Sequence, residues 1–394
     1  MERIGIYGGT FNPPHLGHVR AAYHGAAALE LKKLLVIPSC VAPHKQMPQN
    51  SATGEQRLEM LTLCFGGNPG VEVSDLELSR GGASFTWETV AQVRQQYPET
   101  ELILFMGTDM FLSFLQWKNP EKILQDASLA VFYRGEAGEA EAIARQKEIL
   151  EAAGSKVYLV ENPVTAISST DLRRMLVFRC ADPFLPEGIG EYIRSHGLYD
   201  TAADLRGLPM EELEKVVVSL LKPNRVAHVL GCRDTAADLA RVWGANETDA
   251  ARAGILHDIT KALDGPLQLT LCQEYGIILD NFSSQNPKTL HALTGSLVAE
   301  RIFGESEAVV SAICSHTTGK SNMNLLEKII YVADYMEPNR DFPGVEELRE
   351  LAYTDINKAL KRGLEMTLEM LRSQKREISP ESQQALKYLQ ESGV

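Results

Sequence analysis

The sequence predicts an N-terminal α/β domain built on a parallel sheet, followed by an all-α domain. Three observations carry that reading. The chain has 394 residues, beyond the roughly 100–200 of a typical single domain. As far as Ile193, short apolar runs alternate with amphipathic stretches, the pattern of strands joined by helical crossovers. From Met210 onward, helical stripes recur and no run reads as a strand.

Strands are expected at residues 3–7, 33–38, 71–73, 102–106, 129–133 and 157–160, with helical patterns between most of them. Strand and helix in alternation give right-handed crossovers and a parallel sheet, which binds ligands beyond the carboxyl ends of its strands. Residues 136–151 are acidic and Ala-rich and read as a solvated helix face. Gly197, Leu198, Tyr199 and Asp200 close the α/β pattern, and Gly207 with Pro209 opens the next. The linker falls at residues 200–208, giving domains 1–200 and 201–394. In the second, Leu213, Val216, Val217 and Leu220 form one stripe, Val226, Val229 and Leu230 another, and Leu325, Ile329, Ile330 and Val332 a third.

Hydrophobic residues make up 44% and charged residues 23%, the composition of a chain that folds. Six cysteines are scattered without a CxxC pair, which argues against a disulfide framework or a zinc ribbon. A net charge of -13 and a pI near 5.3 argue against a nucleic-acid or anionic-membrane surface, because counterion release needs clustered cations. No span or signal peptide is apparent, so a cytoplasmic protein acting on small molecules is expected, with any phosphate gripped locally. A homo-oligomer is left open.

The segment Gly8-Gly9-Thr10-Phe11-Asn12-Pro13-Pro14-His15-Leu16-Gly17-His18 follows the first strand and opens a helix. Glycines let backbone approach a ligand, the prolines pre-set the turn, and a helix N-terminus offers free N–H groups to phosphate. His15 and His18 fall on one face of the first turn. The string resembles the HxGH signature of the nucleotidylyltransferase α/β phosphodiesterase superfamily. A second segment, Ile167-Ser168-Ser169-Thr170-Asp171-Leu172-Arg173, resembles the superfamily's ISSTxxR phosphate-binding helix start; Ser168 to Asp171 also fits a capping-box variant. Four further segments resemble the nicotinate mononucleotide adenylyltransferase family over the first 200 residues. They are Pro43-His44-Lys45, Ser84-Phe85-Thr86-Trp87-Glu88-Thr89, Gly107-Thr108-Asp109 and Phe114-Leu115-Gln116-Trp117-Lys118. Asn12 stands where Asp is commoner in that family, and Leu172 where Ile is frequent.

The resemblance implies a Rossmann-like sheet and transfer of AMP from ATP, held with Mg²⁺, to nicotinate mononucleotide. His15, His18, Lys45 and Arg173 would supply positive charge to the phosphates. Gly8, Gly9, Thr10, Phe11, Thr86, Gly107, Asp109, Trp117, Arg134, Ile167, Ser168, Ser169 and Thr170 would line the nucleotide sites, with the Trp117 ring stacked on the pyridine. Little proton transfer is needed, so alignment and charge stabilisation carry the reaction.

Only four of the nine histidines lie in the helical half: His228, His257, His291 and His316. With Asp258 and Asp334 they are metal-ligand types, and imidazole with carboxylate suits Fe, Mn, Ni or Zn. Their order resembles the HD phosphohydrolase superfamily in its two-metal form. With Lys261, His316-Thr317-Thr318-Gly319 and Glu337-Pro338-Asn339-Arg340, residues 210–394 resemble the YqeK family of symmetrical diadenosine tetraphosphate hydrolases. The resemblance implies six ligands for two divalent metals, iron first among them, a bridging Asp258, and Lys261 and Arg340 as phosphate contacts. The alternative reading keeps both folds but gives the first domain another acceptor, nicotinamide mononucleotide or phosphopantetheine. Its HD domain hydrolyses other nucleotides or only senses them.

Overall fold

The computed structural model describes residues 1–41, 47–133, 138–161 and 167–393. The chain divides into two units, Met1–Ala203 and Asp204–Val394. In the first, six strands form one sheet: β1 (Arg3–Gly9), β2 (Lys33–Pro38), β3 (Val71–Val73), β4 (Glu101–Gly107), β5 (Ala127–Tyr133) and β6 (Val157–Glu161). Their order is β3-β2-β1-β4-β5-β6 and every pairing is parallel. The strands expected from the sequence are these six, some lengthened by a residue or two. The order reverses between β1 and β4, the position where open α/β sheets bind ligands.

Both faces of the sheet are buried, which is why its strands read as continuous apolar runs. Leu35 and Ile37 of β2 join Leu102, Leu104 and Met106 of β4 on one face. Leu34 and Val36 join Ile103, Phe105 and Phe132 on the other. The acidic stretch forms the helix Glu139–Ala152, which buries Ile143 and Leu150 and leaves its carboxylates outward. Gly8 and Gly9 belong to β1, paired with Ile37 and Pro38, and neither has positive φ. Size matters at Gly9, where a Cβ would lie 3.0 Å from the Phe11 ring; one on Gly8 would meet nothing within 4 Å, so the strand end is open on that side.

The second unit contains helices and no strand among the described residues. The site is framed by helices Pro223–Trp243, Glu247–Leu256, His291–Arg301, Glu307–Ser315 and Leu325–Met336. Asn246, Ser306 and Asn324 cap three of them, each side chain accepting from a backbone N–H of the first turn. Val229, Cys232, Ile255, Val298, Ile313, Ile329 and Ile330 are fully buried between them. A Cβ at Gly254 would lie 2.8 Å from the Arg233 Cα, so glycine lets helix Glu247–Leu256 approach helix Pro223–Trp243 closely. No helix among the described residues is long and apolar enough to cross a membrane.

Candidate functional site

In the first unit the two signature segments meet at the carboxyl end of β1. His15 is the N-cap of helix Leu16–Ala28 and His18 lies one turn on; their rings stack with centroids 3.6 Å apart. The His15 backbone N–H donates to His18 Nδ1 at 3.2 Å. Burial pushes the His15 imidazole down to about 4, so at neutral pH it is a neutral hydrogen-bond donor or acceptor. The cation expected from the sequence is not what its surroundings favour. Its Nδ1 is shielded from solvent and has no protein partner.

Ser168 caps helix Ser169–Val177, accepting from the Asp171 N–H at 3.0 Å. Ser169 Oγ donates to the Pro13 carbonyl at 3.3 Å. Arg173 donates from Nη1 to the Asn12 carbonyl at 2.8 Å and from Nη2 to Thr170 Oγ at 3.1 Å. Ile167 is buried and Thr170 exposed. The Phe11 ring is buried in the core, edge-on to Tyr7 and His18, so its side chain packs rather than presenting a surface to ligand. Thr10 is tied from below: Arg57, buried within helix Gly54–Phe65, donates to the Thr10 carbonyl at 2.8 Å.

Of the other expected residues, Gly107 ends β4, the sheet neighbour of β1, while Thr86, Asp109 and Trp117 lie on the segments that precede and follow that strand. Ser84 accepts from the Cys40 N–H at 2.8 Å, which docks the start of helix Thr86–Gln96 onto the chain leaving β2. Gly107 ends β4 exposed, and Asp109 is exposed in the first turn of helix Thr108–Leu112. Trp117 is half-buried, its ring 5.3 Å from Phe114, with part of it packed on the core. Lys45 and Arg134 lie outside the described residues.

Tyr199 and Arg57 also support this site, though the sequence gives no sign of their role. Tyr199, buried at 3% exposure, donates its hydroxyl to Asn12 Oδ1 at 2.6 Å; Asn12 Nδ2 in turn donates to Ser51 Oγ at 3.0 Å. The only sign of Tyr199 was its place in the segment that closes the α/β pattern. A buried Arg inside a helix, such as Arg57, looks like any solvent-facing one.

In the second unit all six expected ligands converge. Asp258 Oδ2 lies 3.7 Å from His228 Nε2 and 3.6 Å from His257 Nε2. Its other oxygen, Oδ1, lies 3.4 Å from His291 Nε2 and 3.8 Å from His316 Nε2. Asp334 Oδ1 is 3.2 Å from His228 Nε2 and 3.7 Å from His257 Nε2. One carboxylate therefore stands between two imidazole pairs. Donor atoms sharing a metal at bonds of roughly 2.0–2.2 Å lie about 3–4 Å apart, and two groups come together on that scale: His228, His257 and Asp334, and His257, Asp258 and His316, with His291 facing Asp258 on the second side.

Each ring is oriented from behind. His257 Nδ1 donates to the Gly254 carbonyl at 2.7 Å, His291 Nδ1 to Lys288 at 2.9 Å and His316 Nδ1 to Ile313 at 2.6 Å. His228 Nδ1 faces Glu337 Oε1 at 3.1 Å. A proton on each Nδ1 leaves each Nε2 lone pair aimed at the centre, the arrangement that holds metal-binding imidazoles. Burial lowers His257 to about 4 and His291 to about 3, the latter helped by Lys261, so both rings are neutral near pH 7. Burial works against the charges of Asp258 and Asp334, yet both stay well below the usual carboxylate range, held by the imidazoles when these carry a proton and by the cations beside them, Lys261 at Asp258 and Arg340 at Asp334.

Lys261 Nζ lies 2.9 Å from His291 Nε2, and Arg340 pairs with Asp334 through Nη2 at 2.6 Å. Arg340, expected as a phosphate contact, thus has a carboxylate partner within the centre. Arg225 and Glu337 were missed as site residues: Arg225 pairs with Asp258 Oδ2, and Glu337 is buried at 1% exposure. Arg225 stands three residues before His228, a one-turn spacing that was legible once His228 was taken as a ligand.

Comparison with known proteins follows the same division. A cytidylyltransferase-like family model matches residues 6–175, and an HD domain model matches residues 225–339. The chain is 34% identical over 198 residues to the probable nicotinate-nucleotide adenylyltransferase of Dictyoglomus thermophilum, covering 50% of this chain and 99% of that one. It is 41% identical over 170 residues to the symmetrical bis(5'-nucleosyl)-tetraphosphatase of Halalkalibacterium halodurans, covering 42% of this chain and 90% of that one. A crystal structure from Clostridium acetobutylicum, described as a predicted HD superfamily hydrolase involved in NAD metabolism, matches with 36% identity and a TM-score of 0.46, over 47% of this chain and 98% of that one. By its identity to these two curated relatives and its coverage of them, the chain belongs over its first half to the nicotinate-nucleotide adenylyltransferase family and over its second to the family of HD-domain symmetrical bis(5'-nucleosyl)-tetraphosphatases.

Proposed function

We propose a bifunctional enzyme, acting in the cytoplasm, that joins AMP from ATP to nicotinate mononucleotide and cleaves diadenosine tetraphosphate into two ADP. The first 200 residues carry the transfer and residues 201–394 the hydrolysis. The observation that carries the second activity is Asp258, whose two oxygens face separate imidazole pairs. The first rests on the junction of the HxGH and ISSTxxR segments through Arg173 and Asn12.

In the transfer, a 5'-phosphate oxygen attacks the α-phosphorus of ATP and pyrophosphate leaves. His18 and Arg173 face the phosphates, with Lys45 and Mg²⁺ sharing the triphosphate charge. His15 serves as a neutral donor, and the exposed part of Trp117 stacks on the pyridine. For the hydrolysis, this donor set would hold two divalent metals, iron by this reading with Mn, Ni or Zn as the other candidates, and the chemistry they would supply is Lewis-acid activation of water and of the polyphosphate. His228, His257 and Asp334 would hold one, His291 and His316 the other, with Asp258 available to both, and Lys261 would neutralise substrate charge.

The test is direct. Purified chain is incubated with nicotinate mononucleotide and ATP, and separately with diadenosine tetraphosphate with and without chelator. Nicotinate adenine dinucleotide in the first and chelator-sensitive ADP in the second are expected. His18→Ala should lower transfer at least about 100-fold, the scale of losing one charge-stabilising group. Near-normal turnover would overturn the assignment.

A further inference from the structure

The four imidazoles of the second unit are held from behind in two ways. His257, His291 and His316 rest on the backbone carbonyls of Gly254, Lys288 and Ile313, whereas His228 faces a carboxylate, Glu337 Oε1, at 3.1 Å. Orienting a ring needs no more than a carbonyl, and burying a carboxylate is costly. The fold nevertheless accommodates this one in detail. Asn339 donates to Glu337 Oε2 from its backbone N–H at 2.7 Å and from Nδ2 at 2.8 Å, and the same Nδ2 reaches the carbonyl of Ala227, the neighbour of His228, at 3.0 Å. A Cβ at Gly231, one turn after His228, would collide with Oε2, so glycine there admits the carboxylate. Among the described residues no lysine or arginine pairs with the Glu337 carboxylate, so its charge bears on the His228 ring.

A carboxylate that accepts the Nδ1–H leaves the Nε2 lone pair richer in electrons, a stronger ligand than that of a ring resting on a neutral carbonyl. The far side of the centre differs in the opposite sense. Lys261 Nζ lies 2.9 Å from His291 Nε2, which sets a cation against the nitrogen that would bind metal. Arginines also act on the His228 side: Arg340 pairs with Asp334 Oδ1 and Arg225 with Asp258 Oδ2, and each weakens its oxygen as a ligand. Glu337 restores the balance there, since Asp334, Glu337 and the shared Asp258 stand against two arginines, whereas on the His291 side Asp258 alone stands against Lys261. We propose that the two metal positions are unequal and that Glu337 is the positioning residue that makes the His228 position the tighter one. His228, His257 and Asp334 would hold a divalent cation firmly, and the position at His291 and His316 would fill only at higher free metal. Hydrolysis that needs both would then follow the free metal concentration. The inference rests on the two-metal reading of this centre.

The experiment titrates the chelator-stripped full chain, Glu337→Gln and Lys261→Met with Mn²⁺ alone, by calorimetry and by electron paramagnetic resonance of the free ion, so that no turnover is needed. The parent chain should bind two ions with affinities at least about tenfold apart. Glu337→Gln keeps the size of the side chain and removes its charge. With helical circular dichroism and a cooperative melt retained, it should weaken the tighter position about 10–100-fold, the scale of losing a group that supports a metal-binding imidazole, and leave the weaker one unchanged. A merely structural role would weaken both positions together. Lys261→Met should narrow the gap from the other side, by tightening the weaker position, and a gap that it leaves unchanged would overturn the proposal even if Glu337→Gln fails to fold. Two equal affinities in the parent chain would overturn it too, as would a loss in Glu337→Gln that is absent or shared by both positions. Fewer than two Mn²⁺ in the parent chain would instead sink the two-metal reading, and this inference with it.

Discussion

Arg173 Nη1 donates to the carbonyl oxygen of Asn12 at 2.8 Å, although the two residues are 161 positions apart. That bond makes one site of two segments that the sequence presents separately. Ser169 reinforces it through Pro13, and Tyr199 holds the Asn12 side chain from the last turn of the same unit. The turn ahead of His15 is therefore fixed by groups that need not touch nucleotide.

Replacing Tyr199 by Phe tests that support. The change removes a buried hydroxyl and leaves Asn12 Oδ1 without its donor, a loss of about 1–3 kcal/mol. Urea unfolding of the variant should show this destabilisation, and steady-state kinetics should show a higher KM for ATP with a smaller effect on nicotinate mononucleotide. Unchanged stability and KM would mean that the Asn12 turn is fixed without Tyr199.

The division of ligands around Asp258 predicts a metal count. His316→Ala removes one imidazole from the pair facing Oδ1 and leaves His228, His257 and Asp334 in place. Metal analysis should fall from two ions per chain to one. Asp258→Asn, which weakens the shared carboxylate, should lower both occupancies. Retention of two ions by His316→Ala would show that the His291 side does not hold a separate metal.

Glu101 predicts an acid limb of stability in the first unit. Burial opposes its charge, but hydrogen bonds from Lys156 at 2.9 Å, Tyr158 at 2.7 Å and Arg3 at 3.0 Å prevail. They pull its pKa from 4.5 to about 2. A carboxylate whose folded pKa lies below its unfolded value stabilises fully above the unfolded value, and that contribution is lost as pH falls toward the folded one. Melting curves of the parent chain and Glu101→Gln should therefore differ by a constant amount above about pH 5 and converge between pH 4.5 and 2. A gap independent of pH would show that the glutamate acts through packing.

The alternation of apolar runs with amphipathic stretches foretold all six strands: β1, β2, β4 and β5 are apolar almost end to end because the sheet is covered on both faces, while β3 and β6 at its edges are short and only partly buried. The metal ligands were legible for a different reason: His257-Asp258 and His228 are scarce residue types in a helical half with only four histidines. The supports behind them were not. Gly254, Lys288 and Ile313 orient rings through backbone carbonyls, and a carbonyl leaves no trace in residue identity. Arg57, Tyr199, Arg225 and Glu337 act by where the fold brings them. His15 shows the remaining gap, since its residue type suggests charge while its burial favours the neutral ring.

The two ligand sets fall wholly within different units, which predicts that one activity can be removed without the other. In His257→Ala combined with Asp258→Ala, the centre loses the carboxylate facing both imidazole pairs and one imidazole of the first pair. His228, His291, His316 and Asp334 remain but no longer share a bridging atom, so metals should be released and tetraphosphate hydrolysis abolished. The Asn12 to Arg173 junction is untouched, so adenylyl transfer should persist within about twofold, the range of ordinary preparation differences for a site whose contacts are unchanged. Because metal binding can support folding, the variant must first retain its helical circular dichroism and a cooperative melt. Both reactions are then assayed on one preparation, with Mg²⁺ for transfer and Mn²⁺ or Fe²⁺ for hydrolysis. Persistent hydrolysis would remove Asp258 from the centre of the mechanism. Collapse of transfer in a well-folded variant would show that the two activities are coupled through the chain.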